Sequence, residues 1–292
     1  MLLRSDVTRF TLSNSVSSLT SGDGRRIAAL LGPPGGFAAG VYMADTTSTS
    51  GFAQLMSVYT PRVLFPNGIV SAGGTAPPSV GSLITAYGVN LSGQEFSVAQ
   101  QFPLPTALGG IALLNDTVPL PLQAVTPWQI NAHLPQDPRP GTIALRVKDA
   151  DGSVSPDART IALARAPEAI PMYIGSGPLL AAAVFPGTKT LADGAHPAAA
   201  GEVLEVYSLG LGLTTPRVEA GVASPFATAD VKPRVRIGAV EAEVIFAGLV
   251  PGLAGVYQVN IKVPTGLSPG YQALRWINSD GTLSGTSGIY VR

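Results

Sequence analysis

The stretch Tyr257-Gln258-Val259-Asn260-Ile261-Lys262-Val263-Pro264 decides the fold, because the chain contains it twice. Its other copy, 129 residues earlier, is Trp128-Gln129-Ile130-Asn131-Ala132-His133-Leu134-Pro135. In the later copy Tyr257, Val259, Ile261 and Val263 alternate with Gln258, Asn260 and Lys262. A period of two sends one set of side chains into an apolar interior and the other to the opposite face of a strand. The register then holds downstream: Gly141 answers Gly270, Ala144-Leu145-Arg146 answers Ala273-Leu274-Arg275, and Asp151-Gly152-Ser153 answers Asp280-Gly281-Thr282. Upstream, Gly81 and Tyr87 recur as Gly201 and Tyr207, 120 residues on, so the second copy is the longer in its middle. A repeat of this length predicts two similar units in tandem.

Composition agrees with units made of short strands. The 292 residues include 34 Gly and 26 Pro, 12% are charged, and 46% are hydrophobic, too many for a disordered chain. Frequent turn residues beside a real apolar fraction suit strands joined by many turns. The 18 basic and 18 acidic residues cancel, and Arg25-Arg26 is the densest basic spot, which argues against nucleic acid as a partner. Without cysteine there are no disulfides and no thiolate metal sites. No apolar run reaches the roughly 20 residues of a membrane-spanning helix. Arg4, Asp6 and Arg9 interrupt the first residues, so no signal peptide is visible, and a piece of a longer exported chain is the expectation.

Three regions follow: a β-rich segment over residues 1–61, a first unit over 62–164 and a second over 165–292. In the first unit, strands are predicted at 82–88, 110–114, 120–125, 129–134, 142–147 and 159–163. In the second they are predicted at 202–207, 235–237, 241–247, 257–263, 270–278 and 288–291. Turns fall at Asn115-Asp116, Asp151-Gly152 and Asp280-Gly281. Between Gly177 and Phe185 the alanines favour helix, but Pro178, Pro186 and flanking glycine point to a strand or hairpin. In the N-terminal segment, strands are predicted at 8–12, 26–31, 41–45 and 53–58.

Two resemblances add to this. Ser21-Gly22-Asp23-Gly24-Arg25-Arg26-Ile27-Ala28, followed by Val41-Tyr42-Met43-Ala44-Asp45, resembles one blade of a TolB-type β-propeller; an irregular hairpin region is the other reading. The second rests on Val80-Gly81-Ser82-Leu83-Ile84-Thr85-Ala86-Tyr87-Gly88-Val89-Asn90-Leu91, Leu104-Pro105-Thr106-Ala107-Leu108-Gly109-Gly110, Val125-Thr126-Pro127-Trp128-Gln129-Ile130-Asn131 and the run from Ala247 to Asn260. These resemble an uncharacterised Solibacter-type C-terminal domain of Acidobacteria, similar to IPT/TIG immunoglobulin-like domains. Val80, Ala86 and Asn115-Asp116 depart from that pattern without disturbing its fold. The resemblance implies two tandem immunoglobulin-like β-sandwiches behind a propeller-blade-like segment, an all-β protein carried on a large secreted or surface chain. It supplies no activity and no site residues.

A search for chemistry finds little. His133 is matched by Lys262 and reads as solvent-facing, and His196, before Pro197, reads as a loop residue. Glu202/Glu205 and Glu241/Glu243 read as solvated strand edges rather than an acid pair. Lys148-Asp149-Ala150-Asp151-Gly152 opens like a calcium loop but lacks the later ligands. No nucleophile elbow or phosphate loop occurs, and no metal or cofactor is expected. The candidate ligand contacts are Trp128, Gln129, Asn131, Gln258, Asn260 and Trp276. The amides either bind a ligand or satisfy nearby backbone. The two indoles either stack on sugars or pack in the core, where the match to Tyr257 puts Trp128 and an alternating strand puts Trp276. The expected role is a non-enzymatic, extracellular or cell-surface binding or spacer module, a monomer or part of a longer chain, with a protein or glycan partner. The alternatives are an accessory region of a larger secreted hydrolase or propeller enzyme, and a self-assembling envelope protein.

Overall fold

A computed structural model describes residues 62–292 except 75, 93–95, 138, 139, 175 and 286, and the backbone of three earlier strands. Those three, β1 (Ser17–Thr20), β2 (Arg26–Leu31) and β3 (Ala39–Ala44), form one antiparallel sheet. The predicted strand at 26–31 is β2 and that at 41–45 overlaps β3, while those at 8–12 and 53–58 lie outside the described residues.

The next nine strands are β4 (Val63–Ser71), β5 (Leu83–Val89), β6 (Ser97–Val98), β7 (Ile111–Asn115), β8 (Val118–Pro119), β9 (Leu122–Val125), β10 (Gln129–His133), β11 (Gly141–Asp149) and β12 (Ala158–Ala162). They make two sheets, in the orders β4-β5-β10-β9-β6 and β12-β11-β7-β8. Between the sheets lies one apolar cluster drawn from residues 64–162, with Ile84, Leu113, Leu122, Ile130 and Leu145 fully buried. We call this the first half.

The second half begins with four two-residue strands, β13 (Glu168–Ala169), β14 (Pro171–Met172), β15 (Leu180–Ala181) and β16 (Ala183–Val184). The alanine-rich run is thus strand, as its prolines require. There follow β17 (Val203–Leu209), β18 (Thr214–Thr215), β19 (Ala227–Ala229), β20 (Arg234–Ile237) and β21 (Val240–Leu249). Last come β22 (Tyr257–Lys262), β23 (Gly270–Ile277), β24 (Leu283–Ser284) and β25 (Gly288–Val291). These thirteen strands form one continuous, nearly closed sheet around a second apolar cluster of residues 169–291. The protein is all-β, with no helix among the described residues.

Hydrogen-bond register shows the repeat in three dimensions. β10 lies between β5 and β9 as β22 lies between β17 and β21. Asn131 faces Thr85 and Ala124; Asn260 faces Glu205 and Phe246. Each neighbouring strand bulges by one residue at the same point, Gln123 in β9 and Ile245 in β21. Left-handed residues recur in equivalent places, Asn90 with Gly210 and Asp116 with Gly238. The Gln-Ile-Asn and Gln-Val-Asn segments therefore hold matching positions.

The halves differ where the chain passes from one layer to the other. In the second half β21 makes the passage unbroken, pairing with β20 through Ala242 and with β22 from Glu243 onward. In the first half the same passage is split into β8 and β9 by Leu120-Pro121. Pro121 stands where register puts Glu243, and it has no N–H to give a ladder.

The two-residue turn Asp116-Thr117 gives a first test. Asp116 sits at φ 53°, a backbone region that suits glycine, and Gly238 occupies the equivalent turn at φ 56°. Asp116→Gly is expected to raise stability by up to about 1 kcal/mol. A urea midpoint that stays put or falls would count against this.

Candidate functional site

The alternation of β22 places Tyr257, Val259 and Ile261 in the interior and leaves Gln258 and Asn260 half-buried on the other face. Gln258 Nε2 donates to Asn260 Oδ1 at 2.8 Å. The same arrangement recurs on β10, where Gln129 Nε2 donates to Asn131 Oδ1 at 2.7 Å and Thr85 Oγ1 donates to that oxygen at 3.0 Å. In both halves the pair fixes two amides side by side. Among the described residues the Gln129 and Gln258 carbonyl oxygens and the Asn131 and Asn260 amide groups have no further partner.

Cross-strand register completes each strip with a tyrosine. Tyr87 lies opposite Gln129, and Tyr207 lies opposite Gln258, each half-buried. Burial, and then the neighbouring Tyr173, push the Tyr87 hydroxyl above its ordinary pKa, so it stays neutral and keeps its proton. Each strip offers a phenol ring, an amide acceptor and an amide donor at fixed spacing, a set able to contact the ring face and hydroxyls of a sugar. Glu205 replaces Thr85 in the second strip and adds an acceptor there. Sequence pointed to the amides; Tyr87, Tyr207, Thr85 and Glu205 join them through strand register, which local sequence does not display.

The two tryptophans part company. Trp276 is 0% exposed and belongs to the second apolar cluster, so it packs in the interior and is withdrawn from the ligand contacts. Trp128 is 48% exposed, so its expected place in the core is corrected. Its counterpart Tyr257 is 0% exposed because the first half covers it.

His133 is the other correction. It is not solvent-facing but 3% exposed, because the second half closes over its outward face. The Gly221 N–H donates to His133 Nδ1 at 2.9 Å, and Nε2 lies 3.2 Å from the Gly81 carbonyl. An Nδ1 that accepts leaves the proton on Nε2, so the ring is the neutral tautomer donating to Gly81. Burial lowers its pKa from 6.5 to about 4, against the opposing pull of the Gly81 bond. Lys262, its counterpart, is exposed.

The rest of the joint is equally polar and specific. The Tyr257 hydroxyl donates to the Gly212 carbonyl and, at 3.2 Å, to Gly81 of the first half; burial and then the Asp230 carboxylate raise its pKa. Gly210 N–H donates to Ser82 Oγ at 3.0 Å. Gln136 Nε2 donates to Thr214 Oγ1 at 3.0 Å, while the Thr214 N–H donates to Gln136 Oε1 at 3.2 Å. Leu104 N–H donates to the Gly221 carbonyl at 2.7 Å. Buried hydrogen bonds from several loops fix the angle between the halves.

Beside this joint a cleft of about 740 Å³ is lined by the linker Ala164–Pro167 and by Lys232, Arg234, Asn278 and Asp280. One of its two arginines is engaged, since Arg234 makes a two-pronged ion pair with Glu241 at 2.7 and 2.8 Å. With that pairing, and Glu202 accepting from the Ala199 N–H, each glutamate pair has one member already engaged. Asp149 binds Arg62 and Asp151 caps the Ser153 N–H, as residues of a turn. His196 sits in an exposed loop against Asp193. Among the described residues no group of three or more His, Cys, Asp or Glu is placed to hold a metal ion. No described helix is long and apolar enough to cross a membrane.

No family model matches the chain. No curated protein matches it either. Among solved structures, the SGBP-B protein of the Bacteroides ovatus mixed-linkage glucan utilization locus, in complex with a mixed-linkage heptasaccharide, is 14% identical with a TM-score of 0.30. A putative membrane-anchored protein from Corynebacterium diphtheriae is 12% identical with a TM-score of 0.21. The alignments cover 73% and 77% of this chain but 44% and 57% of those. At such TM-scores neither the fold nor the function of this chain follows from either structure.

Proposed function

We propose that the chain is a non-enzymatic, extracytoplasmic binding and spacer module, two tandem immunoglobulin-like β-sandwiches of the IPT/TIG kind whose outer sheet faces bind glycan. The observation that carries this is the recurrence of the Tyr–Gln–Asn strip, with the same internal hydrogen bond, in both halves. The hydrogen-bonded joint supports the spacer part, because it holds the two strips at a fixed separation.

A glycan array probed with the whole chain tests the reading. At least one class of polysaccharide is expected to be retained. The combined change Gln258→Ala and Asn260→Ala is expected to weaken that binding about tenfold, the value of one or two lost hydrogen bonds. These side chains sit outside the apolar interior, so the urea midpoint should hardly move. Retention of no glycan, or binding indifferent to alanine in both strips, would remove the proposal.

A further inference from the structure

The joint between the halves uses one end of the second half, and the first half has that same end. Tyr257, buried at the joint, corresponds to Trp128, which is 48% exposed. We propose that the Trp128 end of the first half is the seat of the part of this chain that precedes Arg62, docked end to end as the second half docks on the first.

The path of the chain supports this occupant. The Gly210 carbonyl, in the loop beside Tyr257, accepts from the Ala166 N–H at 2.9 Å as the chain arrives from the first half. The equivalent carbonyl, that of Asn90, accepts from Arg62 Nε at 3.1 Å as the chain arrives from its N-terminal part. Residues 90 and 210 share a left-handed backbone, and the entering strands pair alike, Val63 with Val89 and Glu168 with Leu209. What precedes Arg62 therefore reaches the first half at the place where the first half itself reaches the second. That preceding part includes the sheet β1-β2-β3.

The chemistry of the end fits as well. The Tyr257 hydroxyl donates across the joint to a backbone carbonyl, and the Trp128 indole N–H is likewise a donor, with no acceptor among the described residues. A second copy of the chain is the poorer occupant. Its matching socket would be the far end of the second half, where exposed Lys262 replaces His133, and docking there would bury an ammonium group.

Acrylamide quenching of the whole chain decides the matter, because it has two tryptophans and Trp276 is already sealed. With Trp128 seated, both indoles are shielded, and the quenching slope lies several-fold below that of free indole at every protein concentration. A Trp276→Phe chain isolates Trp128 and should show the same shielding. Should that variant fail to fold, the wild-type curve still serves, since an open Trp128 leaves a readily quenched component. Such a component, or shielding that vanishes on dilution and so belongs to a second copy, overturns the proposal. Trp128→Glu should speed amide exchange upstream of Arg62 while sparing β22; unchanged exchange there also overturns it.

Discussion

Acidification from neutrality to about pH 4 is expected to remove on the order of 3 kcal/mol of stability through one residue, His133. Its pKa is about 4 in the folded chain against an ordinary 6.5, because the ring is sealed between Gly81, Gly221 and Gly255. The folded state therefore resists a proton that the unfolded chain accepts. The contribution is fully present above pH 6.5 and is lost as pH falls toward about 4. Protonation would also put a hydrogen on Nδ1, which now accepts the Gly221 N–H, so the joint itself is what opens. Denaturant titrations across this range should slope by close to one proton, and His133→Gln should flatten them. A profile already flat in wild type would refute the assignment. Asp157, through Arg159, and Asp230, through Arg217, are held below the ordinary carboxylate range and matter at lower pH.

Gly210→Ala is expected to cost as much again, on the order of 3 kcal/mol, from two sources that add. The backbone there has φ of 79°, and a methyl group would sit 2.0 Å from the Ala166 carbonyl oxygen. That oxygen is backbone in the linker and cannot swing aside, so the entry of the chain into the second half must shift. Gly201→Ala separates the terms. It shares the left-handed backbone, at φ of 86°, but meets nothing within 4 Å. It should lose only the conformational part, about 1–2 kcal/mol. Equal losses in the two variants would show that crowding at the linker is irrelevant.

Both predictions concern the joint, and the joint is the part that sequence concealed. Alternation in Tyr257–Lys262 announced a strand with a buried face, and the strand is there with that burial. The boundaries of β2 and β25 agree with the predicted ones residue for residue. β4 is not among the predicted strands, and Pro66-Asn67-Gly68 interrupts its apolar run. The strand absorbs those residues as a register shift between Leu64 and Ile69. His133 and Trp128 were misplaced for a common reason. Periodicity tells which side of a strand a residue faces, whereas packing between units decides whether that side meets water. His133 faces outward from its own sheet and is buried by the other half. Trp128 occupies the position of a buried tyrosine and is half exposed. The amide pairs were legible as a repeated motif, but the tyrosines beside them depend on which strands neighbour β10 and β22.

Pro121 has a consequence for how the two halves come apart. In the second half a continuous ladder of backbone hydrogen bonds leads around the corner from β20 through β21 to β22. In the first half the ladder thins at the same corner: the Leu120 N–H still donates to Leu113 and Pro121 still accepts from the His133 N–H, but the proline has no N–H of its own to add. Separating either pair of layers breaks apolar contacts and peptide hydrogen bonds, but the corner of the first half has no N–H at the point where Glu243 supplies one in the second. Two units cast from one pattern thus differ in toughness, with the yielding one placed nearer the N-terminus.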